Sequence, residues 1–385
     1  MKIVFVSNYY NHHQKPLADA LFGQTKGEYT FIATTPMEEE RKKMGWGQEE
    51  VPSYVKYNYT DEASRAECQR LIEEADVVIS GNAPYAMVQS RLKQGKLTFF
   101  YMERLYKDKV PLLRMPLNFA ISLQRYIPYK NFYVLCASAY TAADFSKTLA
   151  FIGKTYQWGY FPEVKTHDDL DALIEKKEKH SILWVARLIP WKRPEVALDV
   201  AERLKRDGYD FTLRMIGNGI LEETIKAEIQ RRGLSDCVQM LGSMTPEEVR
   251  GYMEASEVFL FTSGKGEGWG AVLNESMNSG CAVVASHAIG SVPFLLEDGE
   301  NGLIYQDGNA EDTYQKVKFL LDHDQERRSM ATKAYATMTE EWNAKNAASK
   351  LISLCEGLLS GKKKYAPFDR GVCSPAKILR DDWKK

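Results

Sequence analysis

The chain has 385 residues, 44% of them apolar and 27% charged, with a formal net charge of −1. That length exceeds one ordinary core and predicts two α/β domains, and the near-neutral balance excludes a protein that binds nucleic acid through a globally basic surface. No apolar run approaches the roughly 18 residues of a membrane span, only a short apolar run follows Lys2 where a signal sequence would need a long one, and six cysteines without a C-x-x-C pair exclude a zinc ribbon or a disulfide framework.

In chain order, the first half alternates short apolar runs with stretches of helical period. Ile3–Val6, Thr30–Ile32, Val77–Ser80, Thr98–Phe100 and Phe132–Leu135 are predicted strands. Pro16–Phe22, Ala63–Glu74, Tyr85–Leu92 and Thr141–Lys147 are predicted helices. After Pro162 the composition turns polar, EVKTHDDLDALIEKKEKH, which marks a domain boundary; the acids at His167–Asp169 read as a solvated helix start and not as a metal site. A second series follows, with strands at Ile182–Ala186, Phe211–Ile216, Val238–Leu241, Val258–Phe261, Cys281–Ala285 and Gly302–Tyr305. Helices are predicted at Pro194–Arg206, Leu221–Arg232, Pro246–Ala255 and Ala310–Leu321. One helix-like stretch, 327–359, and a basic tail close the chain. Such alternation predicts right-handed βαβ units and parallel sheets covered on both faces, so the fold class is α/β with two doubly wound Rossmann-like domains. The first is expected over 1–162, with 345–385 packing back on it, and the second over 163–344.

In doubly wound sheets, ligands bind beyond the carboxyl ends of strands. The richest such loop is TSGKGEGWGAVLNES, residues 262–276, where glycines break the chain after an apolar strand and a helix begins near Ala271. Glu267 belongs to the loop and Glu275 to the helix, one turn in, with Gly280 as its stop. Free backbone N–H groups at a helix start favour an anion. Two carboxylates repel a bare phosphate but accept hydrogen bonds from vicinal hydroxyls, so the pair suits a sugar or ribose attached to a phosphate. The loop ARLIPWKRPE sends Arg187, Lys192 and Arg193 from a strand end, a cationic set suited to a diphosphate, with Pro194 opening the next helix. MIGNG, around Asn218, lacks the G-x-G-x-x-G spacing of a dinucleotide loop. MLGSMTPEE carries a Thr245-x-x-Glu248 capping box and reads as structural.

Taken in order, ARLIPWKRPE, MIGNG, QMLGSMTPEEVRGYMEASEVFLFTS, EGWGAVLNES and AIGSVPFLLEDGENGLIY resemble the C-terminal domain of GT-B-fold glycosyltransferases of the retaining family 4, or group 1, type. The resemblance is specific over 181–322 and weaker, though correctly ordered, from residue 1. Glu267 and Glu275 match the family's E-x7-E pair. The resemblance implies two domains facing a central cleft, the second holding a nucleotide-diphosphate sugar, UDP ahead of GDP, as co-substrate with no further cofactor. Arg187 and Lys192 would neutralise the diphosphate and Glu275 would hold the ribose. Glu267 would bond the donor sugar, Gly268, Trp269, Gly270 and Ala271 would present backbone amides, and Asn218, Gly242 and Ser243 would line the nucleotide site. The expected activity is hexose transfer with retention to a glycan, glycolipid or other hydroxyl acceptor. No metal is expected, since no D-x-D lies in a strand-end loop. A nucleotide-sugar 2-epimerase and a catalytically silent nucleotide-sugar-binding subunit are the competing readings.

The first domain departs from the family. Its first loop, SNYYNHHQKP, carries His12 and His13 where glycines are common; adjacent side chains are expected to point different ways, so that at most one faces the acceptor. FFYMERLYK places Glu103 where many members have a histidine, and Glu103 is the expected acid nearest the reacting centre, with surface pairing to Arg104 or Lys107 as the alternative. Between Arg91 and Lys130, nine basic side chains against two acids, Glu103 and Asp108, leave +7, interleaved with leucines and other apolar residues. That segment is expected to meet a membrane surface or an anionic lipid-linked acceptor. The expected location is the cytoplasm, free or at the inner face of a membrane.

Overall fold

The computed structural model describes residues 1–39, 50–107, 112–362 and 365–384. It resolves into two compact units, Met1–Glu163 with Glu341–Arg380, and Val164–Glu340 with Asp381–Lys385.

The first unit is built on a seven-stranded sheet in the order β3-β2-β1-β4-β5-β6-β7. The strands are β1 Ile3–Ser7, β2 Tyr29–Ala33, β3 Val55–Tyr57, β4 Val77–Ser80, β5 Thr98–Met102, β6 Phe132–Cys136 and β7 Thr155–Gln157. Every pairing is parallel. A strand buried on both faces needs a continuous apolar run instead of an alternating one, and β1 and β6 are buried along their whole length. The three-residue strands β3 and β7 escaped sequence reading, because VKY and TYQ are too short for any period to show. A helix at Met115–Arg125 was also missed, and Ser122 is its only buried residue.

The second unit holds a six-stranded parallel sheet, β10-β9-β8-β11-β12-β13, made of β8 Glu178–Val185, β9 Thr212–Ile216, β10 Val238–Gly242, β11 Ser256–Phe261, β12 Ala282–Ser286 and β13 Leu303–Tyr305. Trp184, Leu213, Val258, Leu260 and Val284 join Leu198, Leu204, Val317 and Leu320 of the covering helices in one core. The helices at Pro194–Arg206 and Pro246–Ala255 have the bounds the sequence predicts. The Thr245 capping box is formed with Glu248, and Asp169 caps the helix Leu170–Glu175 by accepting from Ala172 N at 2.8 Å. In both sheets the strand order reverses beside the first strand, between β1 and β4 and between β8 and β11, which creates the crevice where doubly wound folds bind ligands.

Two expectations about the end of the chain are corrected. The stretch 327–359 is not one helix: Asp324–Ala336 runs into a π-helical turn, Thr337–Glu341, and a new helix, Ala344–Leu359, starts from Asn343, whose side chain accepts from Asn346 N at 2.8 Å. Asparagine caps because its side-chain oxygen satisfies an orphan N–H better than a further helical turn does. Nor does all of 345–385 pack on the first unit. Lys384 pairs with Asp298, Asp381 with Lys265, and Trp383 lies against His287, so the last described residues belong to the second unit.

Candidate functional site

The β8/β11 switch point joins the two loops that the sequence singles out. From the β8 side, Trp184 Nε1 donates to Thr262 Oγ1 at 2.8 Å, and that hydroxyl donates to Lys192 O at 2.7 Å. Gly264 N donates to Trp191 O at 2.9 Å. The loop after β8 and the glycine-rich loop after β11 are therefore one bonded layer. Their side chains meet as well: the Lys192 ammonium is bonded to the Glu267 carboxylate, and both are mostly buried. Cation and acid, read separately from the sequence, form a single polar centre. Arg187 is exposed, its guanidinium 5.8 Å from the centre of the Trp191 ring.

Several glycines here are imposed by contact. At Gly266 an added Cβ would lie 2.8 Å from Trp191, and at Gly270, with φ +84°, 2.5 Å from the Phe261 ring. Gly217 and Gly219 both have positive φ, and a Cβ would come within 1.9 Å of Ala186 O and 2.4 Å of Leu188 O. Between them, Asn218 O accepts from Leu188 N at 2.7 Å, while Gly217 N donates to Gly242 O at 2.7 Å. The turns after β8, β9 and β10 are thus nested backbone to backbone, leaving Asn218 and Ser243 exposed beside Gly242.

The helix after the glycine-rich loop, Val272–Asn278, has only seven residues. So short a helix has little dipole of its own, but among the described residues the N–H groups of Gly268, Gly270 and Ala271 have no hydrogen-bond acceptor. Trp269 does not offer its side chain; the ring is buried and its N–H is donated to Asn274 Oδ1 at 2.9 Å. Glu275 sits on this helix, and among the described residues no donor reaches its carboxylate. Burial raises its pKa above 4.5, against an opposing pull from Arg250. Arg250 is occupied with the helix end, donating to Asn278 Oδ1 at 3.0 Å and Ser279 Oγ at 3.2 Å. A partly buried carboxylate that no described donor reaches can accept hydrogen bonds from a ligand's hydroxyls.

In the first unit, His12 and His13 follow β1, at the β1/β4 switch. Their rings do not diverge as expected: the centroids lie 3.9 Å apart. Asn11 causes this, since its side chain accepts from His13 N at 3.0 Å and Gln14 N at 3.3 Å and folds the loop into a turn. Glu103 follows β5 directly. Its carboxylate accepts from the Tyr160 hydroxyl at 2.7 Å and from Lys107 at 2.8 Å, so the Lys107 pairing named as an alternative is present.

The basic segment loses two of its members to the interior. Arg91 is fully buried, donating to Thr98 Oγ1 at 3.0 Å, Leu97 O at 2.8 Å and Ala75 O at 3.1 Å. Arg104 is buried beside Asp144 at 3.8 Å. Asp108 and Lys109 lie outside the described residues. The apolar residues of this stretch are largely not core: Leu112, Leu113, Leu117, Phe119, Leu123 and Ile127 are exposed.

Residues 166–337 match the family model for glycosyl transferases group 1. Sequence relatives are the amylovoran biosynthesis glycosyltransferase AmsK of Erwinia amylovora, 31% identical over 46% of this chain and 44% of that protein, and a Campylobacter jejuni protein, the N-acetylgalactosamine-N,N'-diacetylbacillosaminyl-diphospho-undecaprenol 4-alpha-N-acetylgalactosaminyltransferase. The latter is 32% identical over 40% of each chain. The chain thus spans less than half the length of these curated relatives. Among solved structures, Anabaena HepE in complex with UDP has a TM-score of 0.69 at 16% identity, covering 93% of this chain and all of that one, a likeness that establishes the fold. Most of the second unit is thus similar in sequence to group 1 glycosyl transferases, and the whole chain shares the two-sheet Rossmann-like fold of HepE.

Proposed function

We propose that the chain transfers a hexose, with retention, from a nucleotide-diphosphate sugar, UDP ahead of GDP, to a hydroxyl of a glycan or lipid-linked acceptor in polysaccharide or glycolipid biosynthesis. The observation that carries the reading is the meeting of Lys192 with Glu267 at the β8/β11 switch point, on loops that also carry exposed Arg187 and lead into the helix of Glu275. UDP in complex with HepE, and the diphospho-undecaprenol in the name of the Campylobacter relative, support the donor and acceptor classes.

In the proposed reaction the bond from the anomeric carbon to the diphosphate breaks, its electron pair leaves with the nucleotide, and the acceptor oxygen takes its place while the acceptor's proton passes to the departing diphosphate. Negative charge grows on the departing diphosphate. Arg187, Lys192 and the amides of Gly268, Gly270 and Ala271 offset it, so the proposal requires no metal. Glu275 accepts from ribose hydroxyls and Glu267 from the sugar, with Lys192 free to shift from Glu267 toward phosphate. Asn218, Gly242 and Ser243 border the nucleotide. On the acceptor side the proposal places His12 and His13 after β1 and assigns Glu103, oriented by Tyr160 and Lys107, to the attacking hydroxyl.

The exposed apolar residues of Leu112–Ile127, flanked by Arg114, Arg125 and Lys130, are proposed to seat a lipid-linked acceptor at a membrane surface. Among the described residues no helix is long and apolar enough to cross a membrane. The six cysteines are buried and free, which fits the reducing cytoplasm.

Incubation with UDP-glucose tests the reading. Slow release of UDP that accelerates with an acceptor extract supports a transferase. A free or isomerised sugar as sole product supports the epimerase, and no turnover despite UDP binding supports the silent subunit.

A further inference from the structure

Five residues from five separate segments of the second unit form a chain of contacts that ends on the glycine-rich loop. Arg193, the left-handed residue (φ 49°) that precedes the helix Pro194–Arg206, is ion-paired with Asp307 after β13. Asp307 N donates to His287 Nδ1 at 2.9 Å, so that nitrogen accepts, and the opposite one, Nε2, carries the hydrogen and donates to Asp381 O at 2.9 Å. The Asp381 carboxylate then pairs with Lys265 of the glycine-rich loop at 3.2 Å. At the neighbouring residue, Gly264, the Arg193 guanidinium packs close enough that an added Cβ would lie 3.1 Å from it. His287 is 6% exposed, and the Trp383 ring lies 6.0 Å from it. Lys384 fastens the same segment to Asp298.

Seen alone, the Lys265–Asp381 pair is a partly exposed contact that adds little to global stability. Its position gives it another use. Lys265 lies two residues from Glu267, and loops that bind ligands must be held in productive geometry by residues that do not touch the ligand. The segment also follows Arg380, the last residue of the first unit, so the clasp on the loop is supplied by chain that has just left the other sheet's unit.

We infer that Asp381 and His287 are positioning residues: the segment Asp381–Lys384 is a strap that fixes the glycine-rich loop in its donor-binding shape. This rests on the proposed nucleotide-sugar reading, and the test separates the two. In the full chain, Asp381→Ala is expected to speed amide hydrogen exchange within 264–270, to weaken UDP binding about tenfold by calorimetry, and to leave Tm near that of the unaltered protein. Asp381→Glu and the charge-swapped pair Lys265→Asp with Asp381→Lys should restore both readouts. Unchanged exchange in Asp381→Ala overturns the strap, and faster exchange with unchanged UDP affinity overturns its positioning role. If the unaltered protein binds no UDP, the donor reading falls, while the strap still stands or falls on the exchange of 264–270.

Discussion

Lys192 is bonded to Glu267 and is proposed to face a diphosphate during turnover, so its substitution acts on two partners. Arg187→Ala and Lys192→Ala are each expected to lower kcat about 10²–10³-fold, since each removes a charge-assisted contact that strengthens as the nucleotide leaves. Near-normal kcat in both would remove this loop from the mechanism. The two acids should divide their effects. Glu275→Gln weakens UDP binding, whereas Glu267→Gln spares UDP and impairs use of UDP-glucose, as calorimetry with each ligand will show. Glu275→Gln should also raise Tm at neutral pH. Burial raises the Glu275 pKa above 4.5, so the folded state holds its proton more tightly than the unfolded state does. Stability is therefore lost as pH climbs from about 4.5 through the raised folded value, and it stays lost above it. A neutral amide removes that loss, and a glutamine variant less stable than the parent at pH 7 would contradict it. Glu103→Gln tests the acceptor side: a fall in kcat at constant donor affinity supports its assignment. Unchanged kcat leaves it a partner of Lys107 and Tyr160, where an exposed pair contributes about 0–1 kcal/mol.

Among elements, the turns after β8, β9 and β10 show why glycine recurs at strand ends here. Gly219→Ala forces a side chain against Leu188 with φ +154° and is expected to destabilise by about 1–3 kcal/mol or more in urea unfolding. Gly251→Ala, inside the helix Pro246–Ala255 with nothing within 4 Å of the new methyl group, should stabilise by about 0.5–1 kcal/mol. Equal effects would mean that the nested turns are not packed as described. Helices with a strong start signal were legible: Pro194 and the Thr245–Glu248 box fixed theirs to the residue. Short strands such as Val55–Tyr57 carry too few residues for a period, and the π-helical turn at Thr337–Glu341 has no local signature. Arg91 illustrates the opposite failure, a cation that composition assigns to a basic face and packing sends into the core to bond backbone carbonyls.

For the whole molecule, a ligand that binds only the folded state raises stability by RT ln(1 + [L]/Kd), about 2.7 kcal/mol at a hundredfold excess over Kd. UDP is expected to raise Tm in proportion, with AMP inert; no shift with any nucleoside diphosphate would remove the donor class. Pelleting with anionic vesicles, abolished by Leu113→Asp with Leu117→Asp, tests the exposed face at Leu112–Ile127. The alternation of apolar runs and helical periods already specified two parallel-sheet domains, because strands buried on both faces and their covering helices each leave a local pattern. Motif order likewise marked Arg187, Lys192, Glu267 and Glu275. Tertiary structure decided what no local pattern records. The strand order sets β8 beside β11 and so joins Lys192 to Glu267 across 75 residues of sequence. It also returns Asp381 to Lys265. Such contacts depend on which strands become neighbours, a property of the packed sheet, whereas hydrophobic period and turn chemistry belong to the chain itself.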